Sequence, residues 1–350
     1  MRSASPAPAL HGADKALLNA ARANLYVLMA FVVLAGGGSS GWASALSHQL
    51  MILGLLLVVL SLQWDARKRV QRTPLDKPLL AAVALAAVST LFSSSTAVSL
   101  RALWELALPL AVFFLAIQTT RNREDLRGLV YLVLLLGGAV ALAGLTGLSP
   151  HGNPLWRDNA VRQHGRLTSV FFNPDHAGAF LEMAIPLCLG FLFTGIPRAK
   201  KTGAVFLLLA MLSALVLTLS RGAWISALAG LCFFWAVSLK RGLSRLQKSL
   251  LFASIAGVLF LALLAASTPA TLRILSFEEA TEMPGFRIRA RVWAAALGMF
   301  ADNPWTGTGP GTFGIMFAQY QPGFAFRFLE AHNDYIDFLA ETGIFFVPIL

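Results

Sequence analysis

Charge is scarce in this sequence. Only 13% of its 350 residues are Asp, Glu, Lys or Arg, where a soluble domain carries about 25%. Acid is scarcer still: 17 acidic residues face 28 basic ones, a net charge of +11. In a soluble chain that excess would point to nucleic acid. In a chain that is 57% hydrophobic the first explanation is topological, because Lys and Arg collect in cytoplasmic loops of membrane proteins, and no nucleic-acid partner is expected. Cysteine is nearly absent. Cys188 and Cys232 both lie inside apolar runs, so neither a disulfide framework nor a zinc spacing can be built, and both read as packing residues. No pair of His, Asp or Glu has a recognised metal-ligand spacing, so neither metal nor other cofactor is expected. Nothing alternates as a strand, no internal repeat is evident, and no short apolar stretch with a cleavage site precedes the first span.

What the chain has instead is long apolar runs. A span needs about 20 apolar residues, and ten such segments are read, at roughly 24–43, 46–64, 78–94, 99–118, 128–147, 176–195, 204–220, 222–239, 250–267 and 336–350. The expected architecture is an all-α polytopic membrane protein. It has a cytoplasmic tail over residues 1–23, nine spans over 24–267, a long outer loop with short helices over 268–335, and the start of a tenth span over 336–350. That last run is still apolar at Leu350, which reads as a piece of a longer protein. Basic loops at 65–77, 120–127, 196–201 and 240–248 are each separated by two spans and so share a side. The positive-inside rule makes that side cytoplasmic, and the N-terminus with it.

The opposite side then holds Arg101, Arg157, Arg162, Arg166, Arg221, Arg273, Arg287, Arg289, Arg291 and Arg327, and no lysine. A guanidinium binds phosphate through two parallel hydrogen bonds, whereas lysine is a point charge. This suggests an anionic ligand, although an arginine-rich composition would produce the same bias. Arg221, in the tight Ser220-Arg221-Gly222 turn, is either a snorkelling structural residue or an anion ligand. His332, in Glu330-Ala331-His332-Asn333-Asp334-Tyr335, is by itself more often structural, though imidazole suits proton transfer near neutral pH. His176 stands at the outer end of the sixth span. Residues 286–300 read as an amphipathic helix with Val292, Trp293, Ala296, Leu297 and Phe300 on its apolar stripe. The stretch Gly307-Thr308-Gly309-Pro310-Gly311 is a turn, not a dinucleotide fingerprint, because no strand precedes it. Asp334, Asp337 and Glu341 could line one side of a helix or form a solvated face.

Several motifs in order resemble the O-antigen ligase and O-antigen polymerase family of bacterial membrane proteins. They are Gly165-Arg166-Leu167-Thr168 running into Phe172-Asn173-Pro174, Leu219-Ser220-Arg221-Gly222, and Arg289 four residues before Trp293. Next come Asn303-Pro304-Trp305 leading to the glycine-rich turn and Phe313, and finally His332-Asn333-Asp334-Tyr335 followed by Leu339-Ala340-Glu341-Thr342-Gly343. The resemblance covers about residues 160–345. It departs at Asp175-His176, where a second amide is expected.

The resemblance implies a membrane glycosyltransferase-type bundle of about twelve spans. It implies transfer of a glycan from undecaprenyl diphosphate to an acceptor hydroxyl at the periplasmic face of the cytoplasmic (inner) membrane. The acceptor would be the lipid A core, a growing glycan chain or a protein, as in O-oligosaccharyltransferases. The family's ligases are inverting and metal-independent. Catalytic roles are implied for His332, Arg221 and Arg289, while Arg166, a weaker match, is a candidate substrate contact. Arg287, Arg291, Asn173, His176, Asn333, Tyr335 and Glu341 are candidate substrate contacts. A solute transporter is the competing class, and a non-catalytic scaffold in an export complex a third. Transporters place ionisable groups near the bilayer midplane, whereas the spans of this chain hold few charges, chiefly Glu105 and Glu182, and its polar constellation lies at one surface, which favours the enzyme.

Overall fold

The computed structural model describes residues 10–64, 70–147, 166–171, 173–195, 197–239, 242, 244–266, 284–321 and 328–349. Among them the regular structure is helical, with no strand. The main helices are α1 (Leu10–Leu34), α2 (Gly41–Trp64), α3 (Asp76–Leu91), α4 (Thr96–Thr119), α5 (Arg123–Leu145), α6 (Pro174–Leu192), α7 (Arg198–Leu217), α8 (Arg221–Leu239), α9 (Arg245–Ala266), α10 (Pro284–Asp302), α11 (Phe313–Tyr320) and α12 (Asp334–Thr342). Seven described helices are long and apolar enough to cross a membrane: α1, α2, α4, α5, α6, α7 and α8. The expected runs at 78–94 and 250–267 are the sixteen-residue α3 and the helix α9, whose apolar stretch is Gln247–Phe260.

The helices form two compact units. The first comprises residues 1–67 and 115–272, the second residues 68–114 and 273–350. In the first, the core is built where α6 and α7 pack on α5, α8 and α9, with Leu181, Ile185, Leu189, Met211, Leu215 and Leu231 fully buried. Helix ends are closed by side chains. Asn122 caps α5 by accepting from the Glu124 and Asp125 N–H groups. Arg22 from α1 donates to the Thr119 carbonyl at 2.8 Å and pairs with Asp125 at 2.9 Å. Gly178 lets α6 approach the α7–α8 turn, since a Cβ there would meet the Ala223 Cβ at 2.6 Å.

The second unit is organised around the turn 307–311. Ser89 donates to the Thr306 and Glu341 carbonyls at 2.6 and 2.8 Å, and Ser99 donates to the Pro310 carbonyl at 2.8 Å. The Thr308 and Gly309 N–H groups donate to the Ala340 and Glu341 carbonyls. The turn thereby joins the α3–α4 connection to α12. Gly309, at φ +105°, is required: a Cβ there would run into the Ser93 side chain.

Two expectations change. On α10 the buried stripe is Val292, Ala295, Ala296 and Met299, packed with Trp293 against Phe313 and Phe317. Leu297 is 49% exposed, so the helix is rotated away from the expected face by the aromatic packing of α11. The run 336–350 is not one continuous helix. The nine-residue α12 stops at Gly343, φ +77°, and a 3-10 segment Ile344–Ile349 follows. A Cβ at Gly343 would clash with the Trp305 carbonyl, so the break is enforced by packing.

Gly309→Ala is expected to destabilise the protein by at least about 2 kcal/mol, combining left-handed strain with overpacking. Gly147→Ala, also at positive φ but with no neighbour within 4 Å, should cost only the strain, about 1–2 kcal/mol. Denaturant unfolding of the detergent-solubilised chain measures both; equal costs would refute the role given to Ser93.

Candidate functional site

In the first unit the α7–α8 connection is drawn tight by side chains. Leu219 adopts φ +51°. Thr218 Oγ1 accepts from the Ser220 N–H, and Ser220 Oγ accepts from the Ala223 N–H in the first turn of α8. The Trp224 indole donates back to the Leu215 carbonyl at 3.1 Å. Arg166 reaches this connection from the preceding segment. Its Nε donates to the Thr218 carbonyl and its Nη2 pairs with Asp175, both at 2.8 Å. Asn173 caps α6 by accepting from the Asp175 N–H at 2.9 Å. Of the expected substrate contacts here, Arg166 and Asn173 thus have internal partners. Arg221 and His176 are exposed.

Arg221 is the first residue of α8, and no acidic residue lies in that turn. A helix N-terminus carries about half a positive charge, so the guanidinium adds to a potential that already attracts anions.

In the second unit the loop bearing His332 is held from both sides. Both Asp337 carboxylate oxygens accept from the Ala331 N–H, at 2.8 and 2.9 Å. The Trp293 indole N–H donates to the Ala331 carbonyl at 3.0 Å. Asn333 caps α12 by accepting from Tyr335 and Ile336 N–H groups. Between these clamps His332 takes φ +54°, a left-handed conformation uncommon for a non-glycine residue. Its ring stands edge-on to Phe328, centroids 6.2 Å apart, and the residue is exposed. Arg289 and Arg291 are exposed on α10, Arg289 one turn before Trp293; Tyr335 is also exposed. The Arg287 side chain lies outside the described residues, as do Arg157, Arg162, Arg273 and Arg327.

Glu341 is half-buried, and its carboxylate accepts from the Gly311 and Phe313 N–H groups at 2.7 and 2.8 Å. Burial pushes its pKa up to about 7, against the lowering effect of those two N–H groups, with Asp337 and Glu330 raising it further. Asp337 is pushed up to about 6, by burial first and then by Glu330 and Asp334, while the Ala331 N–H opposes the shift. Among the described residues no group of three His, Cys, Asp or Glu could hold a metal ion. The Arg166–Asp175 pair and the Asp337 clamp were not legible in the sequence as such. The one available signal was the motif departure at Asp175.

Residues 206–347 match the family model described as O-antigen ligase, which supports the O-antigen ligase family. The match takes in Arg221, Arg289, His332 and Glu341 and leaves Arg166, Asn173 and His176 outside it. No curated protein matches the chain. Together with the apolar helices, the match points to a multi-pass membrane protein.

Because the folded-state pKa of Glu341 lies above its ordinary value of 4.5, its contribution to stability is full below about pH 4.5 and is lost as pH rises through about 7. The stability of the wild type relative to Glu341→Gln should therefore fall across that window. A pH-independent difference in unfolding free energy would contradict this burial.

Proposed function

We propose that the chain is an inverting glycosyltransferase that moves a glycan from undecaprenyl diphosphate to an acceptor hydroxyl, at the periplasmic face of the bacterial inner membrane. The lipid A core is the favoured acceptor; a glycan chain or a protein are the alternatives within the same chemistry. The observation that carries the reading is the O-antigen ligase match, which includes both Arg221 and His332.

The acceptor oxygen attacks the anomeric carbon while the bond from that carbon to the diphosphate breaks. The hydroxyl proton passes to the His332 imidazole, and negative charge grows on the departing diphosphate. Arg221 and Arg289 stabilise that charge, and do so more in the transition state than in the bound substrate. The clamps on Ala331 favour a general base, since they fix the backbone from which the imidazole projects. Arg166 supports the reading differently from its expected role: by tying Thr218 to Asp175 it holds the connection that presents Arg221. Arg287, Arg291, His176, Asn333 and Tyr335 are assigned to sugar and phosphate contacts. No metal ion takes part in the proposed step.

The test is transfer in vitro from an undecaprenyl-diphosphate glycan to purified acceptors, with EDTA present. Arg221→Ala should lower turnover about 10²–10³-fold, the typical effect of removing one charge-stabilising donor. His332→Ala should lower it about 10²–10⁴-fold, as for a general base. Full activity in either variant sinks that residue's role, and activity abolished by EDTA sinks the metal-free step.

A further inference from the structure

In the first unit a cavity of about 800 Å³ opens between α5, α6, α8 and the start of α7. It lies toward the Leu192 end of α6, whereas Asn173, which caps the other end, stands beside the Arg166–Asp175 pair. Its origin is compositional. Gly190 on α6 and Gly230 on α8 bring no side chain to the helix faces that line it, and Pro186, one turn before Gly190, brings only its ring. A Cβ would fit at either glycine without a clash, in ordinary contact with Phe234 at 3.6 Å from Gly190 and with Pro186 at 3.8 Å from Gly230. The walls are apolar, formed chiefly by Leu187, Phe191 and Phe233.

The lining is chemically divided. Its charged groups are Arg127 on α5 and Lys200 on α7, and no carboxylate lines it among the described residues. Lys200 Nζ lies 3.4 Å from the Tyr131 hydroxyl and 5.3 Å from the ring centroid, so its ammonium is held near the cavity. Arg127 and Lys200 are both exposed, as expected of a mouth rather than a floor. The volume falls within the roughly 300–1,000 Å³ typical of ligand sites.

We infer that this cavity binds one anionic phospholipid, its phosphate between Arg127 and Lys200 and an acyl chain against Phe191 and Phe233. A neutral lipid would leave the two cations unused, and a free phosphate would leave the apolar hollow unfilled. Only an amphiphile with an anionic head meets both halves. Basic side chains at the ends of membrane helices attract anionic headgroups in the same way. The site stands whether or not the chain transfers glycan.

The test uses the full chain in detergent, with lipid retention read by native mass spectrometry. Dioleoyl phosphatidylglycerol is compared with dioleoyl phosphatidylcholine and with glycerol phosphate. The wild type should prefer the phosphatidylglycerol over the phosphatidylcholine by about thirtyfold, the effect expected of two basic contacts. Arg127→Gln/Lys200→Gln, which alters only exposed groups, should bring that ratio close to one. Gly230→Leu should weaken retention of both lipids by filling the hollow. Equal retention of the two lipids by the wild type, retention of glycerol phosphate as strong as that of phosphatidylglycerol, or an unchanged ratio in the double variant would overturn the inference.

Discussion

Every backbone N–H and C=O that leaves a helix in an apolar setting must find a partner inside the protein, and the described structure is shaped by that demand. Helices meet it along their length. Where they stop, the chain's few polar side chains are taken up by backbone groups. Asn122, Asn173 and Asn333 cap helices. Arg22 and Arg166 each donate to a carbonyl at a helix end. Ser89 and Ser99 donate to the Thr306 and Pro310 carbonyls, and the Glu341 carboxylate accepts from the Gly311 and Phe313 N–H groups. The low charge content and the dense fastening of connections are two sides of one economy.

That same demand separates the candidate residues by role. Arg166 and Glu341 have their polar atoms engaged by the protein itself, whereas Arg221, Arg289 and His332 are exposed. A group that already has strong internal partners must break them to hold a ligand, at a cost comparable to what the ligand returns. The exposed set is therefore the better suited to meet substrate, and the engaged set to hold it in place.

The helices were legible because apolar length is a one-dimensional property. Nine of the expected runs coincide with helices α1–α9 within a few residues at most ends. The exception is α1, which runs from Leu10 to Leu34 where 24–43 was expected, the run being broken by the 3-10 turn Gly36–Gly38. Facing was less legible. The periodicity of α10 allowed Leu297 and Phe300 on the inner stripe, but the structure buries Ala295 and Met299 against the aromatics of α11, with Trp293 bonded to the Ala331 carbonyl. That bond spans 38 residues, and no local pattern encodes it. The break at Gly343 had a local sign, the glycine itself, but its cause is the Trp305 carbonyl packed against it. The motif around His332 was recognisable as a string of residues, while the carboxylate that fixes it, Asp337, read equally well as part of a solvated face.

The left-handed backbone at His332 has an evolutionary consequence. Few residues tolerate that conformation: glycine freely, and asparagine, aspartate and histidine several-fold better than the rest. A lineage that no longer needed an imidazole at this position would still be confined to that short menu, since β-branched or bulky replacements would strain the clamped loop. Drift there would run toward glycine or asparagine long before it reached valine, so loss of the chemistry and loss of the fold would leave different marks in descendant sequences.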